Sequence, residues 1–181
     1  MLDCVAALER AGIDYMVVGG MAVIVLGTPR LTVDVDIAVA VDARDPKAVK
    51  RLIKILGPRV DQMPPGADEF VRDTGVLPFR HPSGVKVDLG VSENPYALNA
   101  IARAVTIDVD GKPVKFCSPE DLILHKLVAD RNKDWDDIKG IMQAQDLDRE
   151  YLDPMVEQMA QATTRGEIVE RYRSLLAAIR S

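Results

Sequence analysis

The chain has 181 residues, 48% of them apolar and 28% charged, with a formal net charge of −5. That suits one domain with a real core, or a domain plus a small helical annex, and it argues against nonspecific coating of nucleic acid. Aromatic residues are only 4%, too few for base-stacking platforms, and the longest apolar run, Met21 to Leu26, is far short of the roughly 20 residues of a membrane span.

In chain order, Leu2 to Ala11 has the apolar spacing of a short helix, closed by Gly12. "DYMVVGG" reads as a buried strand ending in Gly19-Gly20, and "MAVIVLG" as a helix, because a glycine pair commonly turns a strand into a helix. "TVDVDIAVAV" is a strand. "DPKAVKRLIKILG" is an amphipathic helix capped by Asp45, with Pro46 at its first position and Gly57 at its end. A loop is expected over 58–68, then one or two strands around a turn in "FVRDTGVLPFRHPSG", then a strand at 85–91. "NPYALNAIARA" reads as a helix, and "VTIDVDGKPVKF" as a hairpin turning at Asp110-Gly111.

At Ser118 the pattern becomes purely helical: Ser118 caps, Pro119 follows, and three or four helices run to the end. The expected plan is a mixed α+β core over 1–117, with helices on one face of the sheet, and a helical subdomain over 118–181 packed on it. No basic segment leads into an apolar one at the start, so no secretory leader is expected. Cys4 and Cys117 fit no metal spacing and read as buried thiols of a cytoplasmic protein.

Side chains alternate across a strand. Asp34 and Asp36 therefore share a face with Ala38 and Ala40, while Val35, Ile37, Val39 and Val41 point the other way. In 85–91 the same division puts Lys86, Asp88 and Gly90 against Val87, Leu89 and Val91. If the two strands are neighbours, three carboxylates converge, and their repulsion calls for a compensating cation. Magnesium or manganese suits such oxygen ligands, and a two-metal site would clamp both oxygens of a phosphoryl displacement. Gly19-Gly20 would let backbone approach a phosphate at a helix start, and Arg30 would meet phosphate oxygens. The plainer alternative makes Asp34 and Asp36 strand-edge surface residues, with Asp88 paired to Arg30 or Lys86.

"VVGGMAVIVLGTPRLTVDVDIAV" resembles the first motif of the DNA polymerase beta-like nucleotidyltransferases, and "VKVDLGV" resembles their third-carboxylate strand. "SPEDLILHKLVADRNKDWDDIKGI" is similar to the downstream motif of the AbiEii-type branch, many of whose members are toxins of toxin–antitoxin pairs. The resemblance implies that Asp34 and Asp36 ligate Mg2+ or Mn2+ and that Asp88 is the third acid. It also implies that Gly19 and Gly20 hold the phosphates of a nucleoside triphosphate, that Lys126 reaches the triphosphate, and that Asp137 completes the motif beside Asp134. The implied reaction moves a nucleoside monophosphate from an NTP to an acceptor hydroxyl on tRNA or protein, with an antitoxin protein as partner and no membrane. A catalytically inactive binding module of the same fold is the alternative. Two departures stand out: Gly20 replaces a common serine, and the tail after residue 145 is short. Read without the resemblance, Lys126 with Asp130 and Lys133 with Asp137 are solvated i,i+4 pairs, and His125 is a packed or surface histidine.

Overall fold

A computed structural model describes residues 1–180. The elements in chain order are α1 (Leu2–Arg10), β1 (Tyr15–Val18), α2 (Gly19–Leu26), β2 (Asp34–Val39), α3 (Pro46–Leu56), α4 (Ala67–Thr74), β3 (Val76–Arg80), β4 (Lys86–Val91), α5 (Pro95–Ala102), β5 (Val105–Val109), β6 (Lys112–Phe116), α6 (Pro119–Ala129), α7 (Asn132–Ala144), α8 (Arg149–Thr163) and α9 (Glu167–Arg180). They divide into two compact units. Among the described residues, one comprises 1–21 and 31–117, the other 22–30 and 118–180. No helix among the described residues is long and apolar enough to cross a membrane.

The first unit is built on a six-stranded mixed sheet of order β3-β4-β2-β1-β6-β5. β2 and β4 run parallel at its centre, and β1 flanks β2 antiparallel. The branched residues Val35, Ile37, Val39, Val87, Leu89 and Val91 are all buried, as are Leu77 and Phe79 of β3. Burying each such side chain is worth about 1.5–3 kcal/mol, which is what lets the opposite face of the same strands carry charge. Helix α3 adds Val49, Leu52 and Leu56 to the core. Its cap is as expected: the Asp45 carboxylate accepts a 2.8 Å hydrogen bond from the Lys47 amide. The β5–β6 turn at Asp110-Gly111 has positive φ at both residues, 53° and 76°, the backbone of a type I′ hairpin.

One expectation fails. The segment before β3 is the helix α4 and not a strand. Ala67 and Val71, one turn apart, are its buried residues, Asp68 and Glu69 sit in its first turn, and Gly75 closes it at φ 69°. The Gly75 amide donates back to the Val71 carbonyl at 2.7 Å. Two apolar anchors spaced i,i+4, acids at the positive end of the dipole and a left-handed glycine outweigh the β-propensity of Phe70 and Val71.

In the second unit, α6 to α9 follow one another without a strand. Ser118 caps α6: its Oγ accepts from the Asp121 amide at 3.1 Å and donates to Asp121 Oδ2 at 2.9 Å. Gly140 lets α7 approach residues 27–30 closely, since a Cβ there would fall 2.5 Å from Thr28 Oγ1. The Gln145 side-chain Nε2 also donates to the Leu26 carbonyl at 2.9 Å. These contacts set Arg30 over the face of α7 that carries Asp137.

Candidate active site

The parallel register pairs Asp36 with Asp88 and Asp34 with Lys86. Directly paired residues on neighbouring strands share a face, so the three acids do lie on one surface, at the N-terminal ends of β2 and β4. The row continues into Pro78 of β3 on one side and Val18 of β1 on the other. Val18 leads straight into the glycine pair. Gly19 takes φ 64°, and a Cβ there would lie 1.9 Å from Asp36 Oδ2. Only glycine lets the backbone pass this close to the carboxylate in that conformation. At Gly20 a Cβ would lie 2.4 Å from Thr32 Oγ1. The Thr32 hydroxyl thus fills the space a serine side chain would need, which accounts for glycine at this position.

All three acids are half-buried, and each strand residue beside them is accounted for. Thr32 Oγ1 donates to Asp34 Oδ1 at 2.9 Å. Lys86 Nζ donates to Asp88 Oδ2 at 2.6 Å, one of the two partners foreseen for Asp88. That hydrogen bond holds the Lys86 ammonium above its ordinary pKa, and the Coulomb fields of Asp88, Asp34 and Asp36 add to it against the cost of burial. Asp88 Oδ1 is buried with no hydrogen-bond partner, a costly state for a carboxylate oxygen. A hard divalent cation fits this donor set: two carboxylates at one register level, a third one step along, and an unsatisfied oxygen among them. Among the described residues, however, no three acidic, histidine or cysteine side chains converge on a common ligand position. Asp34 is turned to Thr32 and Asp88 to Lys86.

The remaining expected site residues gather in the second unit. Asp134 and Asp137, one turn apart on α7, both face Lys126 of α6. Lys126 Nζ lies 3.2 Å from Asp134 Oδ1 and 2.8 Å from Asp137 Oδ2. Arg30 grips Asp137 with Nε at 2.7 Å and Nη2 at 3.0 Å. Arg131 grips Asp134 with Nε at 2.7 Å and its own amide at 3.1 Å. The side chains of Lys126, Asp134 and Asp137 are only 6%, 0% and 4% exposed. The solvated i,i+4 pairs are therefore not what forms: Lys126 bonds across the α6–α7 hairpin. Asp130 instead accepts from Trp135 Nε1 at 2.6 Å and pairs with Arg165. His125 is partly buried, and its desolvation pushes its pKa down, with Lys126 adding to that and Asp121 opposing it; a packed or surface histidine was the expectation. Sequence reading missed Thr32 and Arg131. Their signals are local: T-x-D before the strand, and R-x-x-D at a helix start.

Burial alone would push the Asp134 and Asp137 carboxyls up. Hydrogen bonds from Arg131 and Lys126 on one, and from Arg30 and Lys126 on the other, more than offset this and hold both below the usual carboxylate range. Their contribution to stability is thus fully present above the unfolded value near ~3.9 and is lost as pH falls through the lower folded values. Urea melts between pH 7 and pH 2.5 should show stability dropping at the acid end, and Asp137→Asn should flatten that drop. An unchanged pH profile in the variant would show that the network is not linked to folding.

With this geometry in hand, the relatives can be placed. The family described as "Nucleotidyltransferase of unknown function" (DUF6036) matches residues 5–179. The chain belongs to this family. No curated protein matches it. Among solved structures it is similar to an antigenic nucleotidyltransferase-like protein from Paracoccidioides brasiliensis, at 23% identity and TM-score 0.61, over 98% of this chain and 89% of that one. It is also similar to a lincosamide antibiotic adenylyltransferase, solved with lincomycin bound, at 17% identity and TM-score 0.53, over 76% of this chain and 91% of that one. At these identities the likeness establishes the nucleotidyltransferase fold.

Proposed function

We propose that this member of the family transfers a nucleoside monophosphate from a nucleoside triphosphate to an acceptor hydroxyl, with release of pyrophosphate. The observation that carries the reading is the row Asp36–Asp88, with Asp34 on the same face and the Gly19 backbone against it. Asp34, Asp36 and Asp88 would hold Mg2+ or Mn2+, which supplies charge neutralisation on the phosphates when bound. The Gly19-Gly20 backbone gives a triphosphate close access at the start of α2. The acceptor oxygen forms a bond to the α-phosphorus as the bond to pyrophosphate breaks, and a carboxylate of the row takes the acceptor proton. Catalysis of this kind rests on positioning and preorganised charge. Lys126 and Asp137 fit a supporting part in this reading, because each already satisfies the other inside the second unit. A tRNA or protein acceptor, and membership of the toxin-bearing AbiEii-type branch with an antitoxin as partner, rest on the resemblance of residues 118–142.

The test is label transfer. The protein is incubated with Mg2+, each α-labelled triphosphate and either total RNA or lysate protein, and the product is resolved by gel. Label should enter one acceptor class, and Asp34→Asn should reduce transfer about a hundredfold or more, in line with loss of one preorganised electrostatic contact. Full activity in Asp34→Asn would remove Asp34 from the metal site. Transfer to nothing, together with triphosphate-dependent thermal stabilisation, would favour the binding-module alternative.

A further inference from the structure

Lys86 is the cationic side chain that bonds to the acid row; Arg80, its neighbour on β3, turns its Nη1 to the Gly84 carbonyl at 2.7 Å. Lys86 stands directly opposite Asp34 and two residues before Asp88 on the same face. Its ammonium lies 2.6 Å from Asp88 Oδ2, while the other oxygen of that carboxylate is buried without a partner. The Lys86 side chain is 52% exposed and that of Asp88 only 23%, so the lysine reaches inward from the rim to a more deeply set acid. An ammonium here supplies half the charge of a divalent cation, at the same carboxylate. It holds Asp88 in its present setting, as the Thr32 hydroxyl holds Asp34.

We propose that Lys86 is the resident counter-cation of the acid row, competing with the divalent cation for Asp88. Metal entering alone must break this ion pair and then bear the repulsion of the displaced ammonium. Metal entering with a triphosphate does not, because the phosphates offer Lys86 a new anionic partner. Cation and nucleotide therefore bind with positive coupling, which is reciprocal by thermodynamic necessity. The row holds free divalent cation more weakly until substrate is present. This rests on the metal-site reading given above for Asp34, Asp36 and Asp88.

The experiment titrates MnCl2 into the full chain without nucleotide, reading free Mn2+ by electron paramagnetic resonance. The wild type is compared with Lys86→Met and Asp36→Asn. Lys86→Gln repeats the measurement with a polar side chain, so that the result does not hang on the folding of one variant. Lys86→Met and Lys86→Gln should bind Mn2+ about fivefold more tightly than the wild type, the equivalent of a ~1 kcal/mol exposed ion pair. With a non-hydrolysable triphosphate present, this difference should shrink. If Asp36→Asn abolishes Mn2+ binding while the Lys86 variants bind no more tightly, the metal site stands and the competing role of Lys86 is overturned. If no Mn2+ binding depends on Asp36, the metal-site reading and the role of Lys86 fall together.

Discussion

Asp137→Asn should lower the unfolding free energy by about 3–5 kcal/mol, the range for removing one partner from a buried ion pair. Asp137 is the acid on which Lys126 and Arg30 both close. Removing its charge leaves two cations facing a neutral amide, whose single carbonyl oxygen can accept from one side while its NH2 meets the other. Arg30 is 32% exposed, so water takes up part of its charge and the lower half of the range is expected. Lys126→Met is the informative contrast. The named network has three cations and two carboxylates, and without Lys126 each carboxylate still keeps an arginine: Arg131 on Asp134 and Arg30 on Asp137. That loss should stay nearer the ~1–3 kcal/mol of an unmade hydrogen bond at a buried group. Urea denaturation read by circular dichroism measures both. If Lys126→Met proves the costlier change, or if Asp137→Asn leaves the midpoint where it was, the network is not the scaffold of the α6–α7 hairpin.

Gly19→Ala should separate the fold from the chemistry. A left-handed backbone costs a residue with a Cβ about 1–2 kcal/mol, and the new methyl would lie 1.9 Å from Asp36 Oδ2. The carboxylate is the mobile end of a side chain, so it swings aside and the sheet survives. The expected result is a cooperative melt lowered by about 1–3 kcal/mol, with nucleotidyl transfer down about a hundredfold, the scale of a 1 Å misplacement at a reacting centre. Parallel thermal melts and label-transfer assays give the two numbers. Transfer that falls no further than the folded fraction would mean that the position of Asp36 beside the glycine turn does not matter to the reaction.

The acid-bearing strands were legible because period-two alternation reports the face of a residue directly, and the register of β2 on β4 brought those faces together. The glycine pair, the Asp45 and Ser118 caps and the Asp110-Gly111 turn were legible for the same local reason. Helix α4 was not, since its apolar anchors are few and its β-prone residues adjacent; the deciding signal is Gly75, which closes it in the left-handed region. The partners of Lys126 were out of reach for another reason. Local spacing proposes Asp130, but a helical hairpin brings Asp134 and Asp137 to it at shorter range in a drier place. The close passage of residues 27–30 over Gly140, which delivers Arg30, is likewise a tertiary event that no window of sequence contains.

The parallel pairing of β2 with β4 also bears on how the protein comes into being. Parallel neighbours need a long crossover, and here α3, α4 and β3 are all synthesised between the two strands. A nascent chain that has emerged only as far as α3 exposes Asp34 and Asp36 with no Asp88 beside them and no Lys86 to quiet them. The acid-bearing surface is therefore complete only when the second acidic strand docks. The pairing of Asp36 with Asp88 thus marks a middle stage of sheet formation, after β3 and before β5 and β6 are made.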